Sequence, residues 1–161
     1  KIKPVSLSSK LPAISSPQAI EILKKLAAKR NISLGRMSRI ELMVTLAAVS
    51  VCLPSSVKMS EGQVNRLLQE WLANTASMLR IDHIELRRSL IDYGFWQRDS
   101  FGRGYWRSEE VAESPLKAYM QVFDEIDPLP LMAAHRAVLN TEREKRKLLA
   151  IGISTFASKK I

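Results

Sequence analysis

Apolar residues recur at helical spacing along most of the chain, and each run is bracketed by residues that start or stop helices. Ile20, Leu23, Leu26 and Ala27 form the first stripe, with Lys24, Lys25 and Lys29 turned outward. Proline is well tolerated at a first helical position, so this helix is expected to begin at Pro17, capped by Ser16. Gly35 breaks the chain before a second start, where Ser38 and Glu41 make a capping box. The residues that follow are apolar nearly all round, which marks the most buried helix of the fold, ended by Pro54. Ser60 and Gln63 form another capping box. After it Val64, Leu67, Leu68, Trp71 and Leu72 share one face. Asp82, with Glu85 at the reciprocal position, opens a fourth helix that Gly94 closes in a left-handed conformation.

Period changes after Gly94. Two short aromatic runs flank a turn containing Gly102 and Gly104, the pattern of a β-hairpin over residues 95–107. Helical spacing then resumes from Pro115 to Glu125, where Leu116, Tyr119, Met120 and Phe123 make a stripe that must pack on the main domain or on another subunit. A break is expected at residues 127–130, with a last helix from about Leu131 to Ala150. Helix, helix, turn, helix, hairpin is the order of a winged helix-turn-helix, so the fold class is mainly α with further helices at both ends. The expected divisions are a flexible basic arm at 1–16, an N-terminal helix at 17–36, the winged-helix domain at 38–107 and a helical extension at 108–161.

Residues 59–107 also resemble a known family. Ser60, Glu61, Val64 and Asn65, then Leu86, Arg87, Arg88, Leu90, Gly94 and Arg98, then Gly102, Tyr105 and Arg107 are similar in order and spacing to the prokaryotic domain of unknown function 2087. Met59, Gln63, Phe95 and Trp96 depart from the pattern, mostly by changes conservative for packing. The resemblance implies a winged-helix-like domain in a setting of transcriptional regulators. It implies no catalytic mechanism.

Composition narrows the function classes. Hydrophobic residues make up 46%, which excludes wholesale disorder. The longest uncharged stretch, residues 42–57, contains Thr45, Ser50 and Pro54 and is too short to cross a bilayer, so no membrane is expected as a partner. Cys52 stands alone in an apolar context and reads as a core residue. His83 and His135 have no cysteine cluster around them, so neither a metal nor a cofactor is implied and a reducing cytoplasm fits best. The net charge of +9 is uneven: residues 1–59 hold ten Lys/Arg against two Glu, whereas residues 108–161 hold eight of each sign. That excess invites a nucleic-acid partner.

Arg98, Arg103 and Arg107 stand among Phe101, Tyr105 and Trp106 in the hairpin, a mixture suited to phosphate contact and stacking. With Lys24, Lys25 and Lys29 they form the candidate nucleic-acid-binding set. The fourth helix is a poor groove reader. Arg87 falls in its apolar half, where it is expected to snorkel or to pair with a buried carboxylate, and Arg88 has Glu85 and Asp92 in reach to neutralise it. The EREKRK run at 142–147, with Glu142 and Arg146 four apart, reads as a salt-bridged solvent face. Ser60 and Gln63 are explained as caps and neither histidine has a triad partner, so an enzyme is not expected. Two classes remain: a DNA-binding, transcription-associated regulator using the wing and N-terminal arm, or a winged-helix interaction module that meets a protein or itself through the helices after residue 115.

Overall fold

The computed structural model describes residues 11–75, 78–101, 103–108 and 115–159, with side chains as far as 152 in the last helix. Lys1, Lys3 and Lys10 of the expected arm, and Gly102 of the expected turn, lie outside the described residues. Leu11 and Ile14 rest half-buried against the core.

Helix α1, Ser16–Ala27, starts one residue earlier than its proline indicates. Ser15 is the cap. Its hydroxyl accepts from the Gln18 N–H at 3.3 Å, and Gln18 Oε1 accepts from the Ser15 N–H at 3.0 Å, a reciprocal pair that only a residue three before Gln18 can make. Ala19, Leu23, Leu26 and Ala27 are its buried side. Asn31 takes a positive φ of 56°, and Ile32 then bridges to Leu79 before a 3₁₀ turn at Leu34–Arg36.

The second helix, α2 (Arg39–Ser50), is capped by Ser38 with Glu41 as foreseen, and every residue from Met43 to Ser50 is buried. It is the spine of the fold, packed by α1 on one side and by the first of the C-terminal helices on another. Strand β1, Met59–Ser60, leads into α3, Glu61–Asn74, whose capping box from Ser60 and Gln63 is present. The next helix is α4, His83–Asp92. Asp82 accepts from the Glu85 N–H at 2.8 Å, but Glu85 makes no return bond, so this start is a single cap and not the expected box. Gly94, at φ 85°, ends α4, with the Phe95 N–H donating back to the Leu90 carbonyl.

Strands β2, Trp96–Arg98, and β3, Gly104–Arg107, form the wing. The sheet has three strands, not two. Its order is β1-β3-β2, with Met59 opposite Tyr105 and Ser60 opposite Gly104. A two-residue strand is too short to leave a period in the sequence. Gly104 belongs to β3, not to the turn, and a Cβ there would stand 2.1 Å from Lys58 Cε, so the glycine makes room for a lysine lying across the sheet. The domain from α2 to β3 is therefore a winged helix of mainly α architecture.

Helix α5, Leu116–Glu125, buries Leu116, Tyr119, Met120 and Phe123, and α2 is its main neighbour. This stripe is covered within the chain. Tyr119 also donates its hydroxyl to the Pro12 carbonyl at 3.0 Å. The expected break at 127–130 is shorter and earlier: only Ile126 and Asp127 separate the two helices, and α6 runs from Pro128 to Lys159. Pro128 and Pro130 both sit in its first turn, where backbone N–H groups have no helical partner to lose, and Asp127 accepts from the Leu129 N–H.

Candidate nucleic-acid interface

Cross-strand register sorts the wing residues into two faces. Trp96 lies opposite Arg107 and Arg98 opposite Tyr105, while Gln97 lies opposite Trp106. Trp96 and Tyr105 are buried, so the face they share packs on the helices, with Arg98 exposed at its edge, and the second set faces outward. Trp96 anchors the sheet by donating its indole N–H to the Ser50 carbonyl at 3.0 Å.

Arg107 is held on the inner face. Its guanidinium donates to the carbonyls of Val51 and Leu53 past the end of α2, and pairs with Asp124 of α5 at 2.9 Å. Its side chain is 13% exposed. Of the three wing arginines, this one is spent inside the molecule, closing a helix end and joining α5 to the wing.

Arg98 and Arg103 are exposed. Between them the turn is organised by Asp99, whose Oδ1 accepts from the N–H groups of Phe101 at 3.2 Å and Arg103 at 2.8 Å. These backbone donors, led by that of Arg103, hold the Asp99 carboxyl below its ordinary value, and Lys58 Nζ stands 3.9 Å away. The one carboxylate of the turn is thereby occupied. Phe101 is left 80% exposed at the tip, with the Arg103 guanidinium 5.5 Å from its ring centre. On the outer face Lys58 lies 5.2 Å over the Trp106 ring, and Trp106 donates to Gln97 at 3.0 Å. A groove of about 650 Å³ continues from this face toward α5, with Lys58, Trp106, Lys117 and Gln121 among its walls.

Lys24, Lys25 and Lys29 stand elsewhere. Helix α1 packs on α2, α5 and α6, whereas the wing strands pack on α3 and α4, so the structure does not gather the two basic groups into one patch. Lys24 is also within 3.9 Å of Glu21. Lys58, absent from the candidate set, is the cation that joins the wing; its signal in the sequence was only a lone lysine before a capping serine.

Arg87 bridges α4 to α3, and the carboxylate it meets there is an exposed one and not the buried partner expected. It donates to Asn65 Oδ1, lies 3.7 Å from Glu61 Oε1 and sits 5.7 Å from the Tyr105 ring centre, while Tyr105 donates to the same Glu61 oxygen at 3.0 Å. Glu61, Asn65, Arg87 and Tyr105 all belong to the motifs that carry the family resemblance, and they converge on one clasp between α3, α4 and the wing. Arg88 differs from expectation. It is exposed and forms no ion pair among the described residues, because long exposed side chains gain little by ordering against a neighbour.

Ser60 serves as a cap, its hydroxyl accepting from the Gln63 N–H at 3.2 Å. Among the described residues no group of His, Cys, Asp and Glu could hold a metal ion. Burial pushes the Cys52 thiol up to about 12, with Arg107 pulling weakly the other way. Among the described residues no helix is long and apolar enough to cross a membrane.

Residues 36–107, from the 3₁₀ turn to the last strand of the wing, match the family described as "Uncharacterized protein conserved in bacteria (DUF2087)". The matched segment is the winged-helix unit; α1, α5 and α6 lie outside it. No curated protein and no solved structure matches the chain.

Proposed function

We propose that the chain binds nucleic acid through its wing, mainly by phosphate contact and base stacking, and that it acts without catalysing a reaction. The observation that carries this reading is Phe101, a large aromatic 80% exposed at the tip and flanked by Arg98 and Arg103. An exposed ring among cations, with the neighbouring carboxylate turned onto backbone amides, suits a base face and a phosphate backbone at once. Lys58 and Lys117 extend the positive surface along the groove beside Trp106. The regulator setting implied by the family resemblance is consistent with such a role, with DNA as the partner. Binding of this kind releases counterions, so titration of duplex and single-stranded DNA at several salt concentrations tests it. Log affinity should fall linearly with log salt, by roughly 0.9 per phosphate neutralised. Absence of binding at low salt, or binding indifferent to Arg98 and Arg103, would overturn it.

A protein-interaction role is favoured by a different surface. A cleft of about 370 Å³ beside α4 has Leu34, Met37, Leu42 and Tyr93 in its walls, together with Glu85, Asp92 and a single cation, Arg39. Those carboxylates repel phosphate, and Ile84 stands 41% exposed on the same helix. Such a cleft suits an apolar protein segment bearing basic residues. Co-purification from the native cell separates the two readings: nucleic acid supports the wing, a defined protein the cleft.

A further inference from the structure

A long stretch of α6 is uncovered among the described residues. From Asn140 to Gly152 every side-chain position is exposed, and Val138, Leu148 and Leu149 are 54, 67 and 66% exposed. A single helix projecting into water is marginal in stability, and large apolar side chains along it need a neighbour. Among the described residues the chain supplies none at these positions.

Val138, Glu142, Lys145 and Leu149 follow one another at intervals of four, three and four, the alternation of the two core positions of a heptad. Read from the other end the intervals are the same, and acid and base exchange places. At about 100° per residue this line lies roughly a third of a turn from the face of Met132 and Arg136 that packs on the domain, where Arg136 donates to the Asn74 carbonyl. The line is therefore open to a neighbour. We propose that α6 pairs antiparallel with α6 of a second copy of this chain.

A two-fold axis near the middle of the EREKRK run lays Val138 on Leu149 of the second copy and Glu142 on its Lys145, twice over. Leu148 flanks the seam near Thr141 of the second copy. Parallel pairing would instead stack Glu142 on Glu142 and Lys145 on Lys145, which like-charge repulsion disfavours. Glu142 already lies 3.8 Å from Arg146 on its own helix, so the two cations share one carboxylate. The seam is short and its inner layers are charged, so the dimer is weak and dissociates on dilution. It is independent of the wing and of anything the wing binds.

Sedimentation equilibrium of the full chain from about 1 µM to about 1 mM is the first measurement. A monomer–dimer equilibrium is expected, weakened at least tenfold by Glu142→Lys alone and by Lys145→Glu alone, and restored when both changes are made together. Mixing a Val138→Cys chain with a Leu149→Cys chain under oxidation should give the mixed disulfide in preference to either self-linked product. A monomer across the whole range overturns the proposal. So does a dimer indifferent to the charge exchange, one in which each cysteine variant links best to itself, or a chain that pairs only with a different protein.

Discussion

The hydroxyl of Tyr105 donates to Oε1 of Glu61 at 3.0 Å, joining β3 to the start of α3 across 44 positions of sequence. Arg87 reaches the same carboxylate from α4, so one acid orients a wing strand and the helix beneath it. Removing Arg87 breaks its hydrogen bond to Asn65 and its ion pair with Glu61 together. Arg87→Ala should lower the unfolding free energy by about 1.5–3 kcal/mol, since hydrogen bonds to charged groups are the stronger kind. Arg87→Lys should recover only part, because an ammonium cannot fork between the two acceptors. Urea denaturation of the three proteins decides it; equal stability of all three would show the clasp to be idle.

Arg107 is predicted to matter for stability and not for binding. Arg107→Ala leaves the carbonyls of Val51 and Leu53 and the Asp124 carboxylate without their donor. A loss of about 2–3 kcal/mol is expected in chemical denaturation. The salt dependence of nucleic-acid binding should be unchanged by it, which separates Arg107 from Arg103 although the two are four residues apart.

The difference between those arginines was available to a reader who applied the strand period of two. Tyr105 and Arg107 share a face with Trp96, and Trp96 is the most apolar residue of β2, so an inward Arg107 follows once the register is known. Register was the missing fact, because the turn length could not be read from glycines of which one belongs to the strand. The helices were far more legible. Their caps and stripes are local, and Ser38, Ser60 and Gly94 do what their spacing implies. The Asp127 start of α6 was hidden because two prolines in four residues resemble a break, and a first helical turn tolerates both. The clasp of Glu61, Asn65, Arg87 and Tyr105 was visible only as an unexplained motif, since three elements must fold before its members meet.

Asp99 gives the wing a pH dependence. Its carboxyl titrates below the ordinary value of 3.8, chiefly because the Arg103 N–H donates to the ionised form. A depressed folded value means the contribution is complete above the ordinary value and is lost as pH falls through the folded one. Amide hydrogen exchange at Phe101 and Arg103 should therefore accelerate, relative to the helices and after correction for intrinsic rates, as pH falls below about 4. Asp99→Asn should abolish that acid-side change. Protection that stays constant down to the acid unfolding of the whole domain would contradict the assignment.

Cys52 should be a slow thiol. Its pKa stands at about 12 against an ordinary 9.0, raised mainly by burial, and only the thiolate attacks common reagents. At pH 8 its modification rate in the folded protein should be at least about thirtyfold below that in denaturant, allowing for the higher intrinsic reactivity of a more basic thiolate. A stopped-flow disulfide-exchange assay with and without urea measures the ratio. Folded-state reaction at the denatured rate would mean that the packing around Val51 and Leu53 opens readily.

Phe101 and Arg103 should fail in different ways if the wing binds nucleic acid. A ring that stacks on a base contributes affinity without neutralising phosphate, whereas an arginine on the backbone does both. Phe101→Ala should then weaken single-stranded DNA binding by about 1–3 kcal/mol, roughly five- to hundredfold, at every salt concentration. The slope of log affinity against log salt should stay where it was. Arg103→Ala should reduce the magnitude of that slope by about one unit and weaken all sequences alike. Because Arg103 lies 5.5 Å from the Phe101 ring centre, the double variant should lose less than the two single losses combined. Fluorescence anisotropy with one labelled oligonucleotide, at four salt concentrations, supplies every number needed. A Phe101→Ala change that alters the slope, or an Arg103→Ala change that does not, would show that the tip meets its partner by some other chemistry.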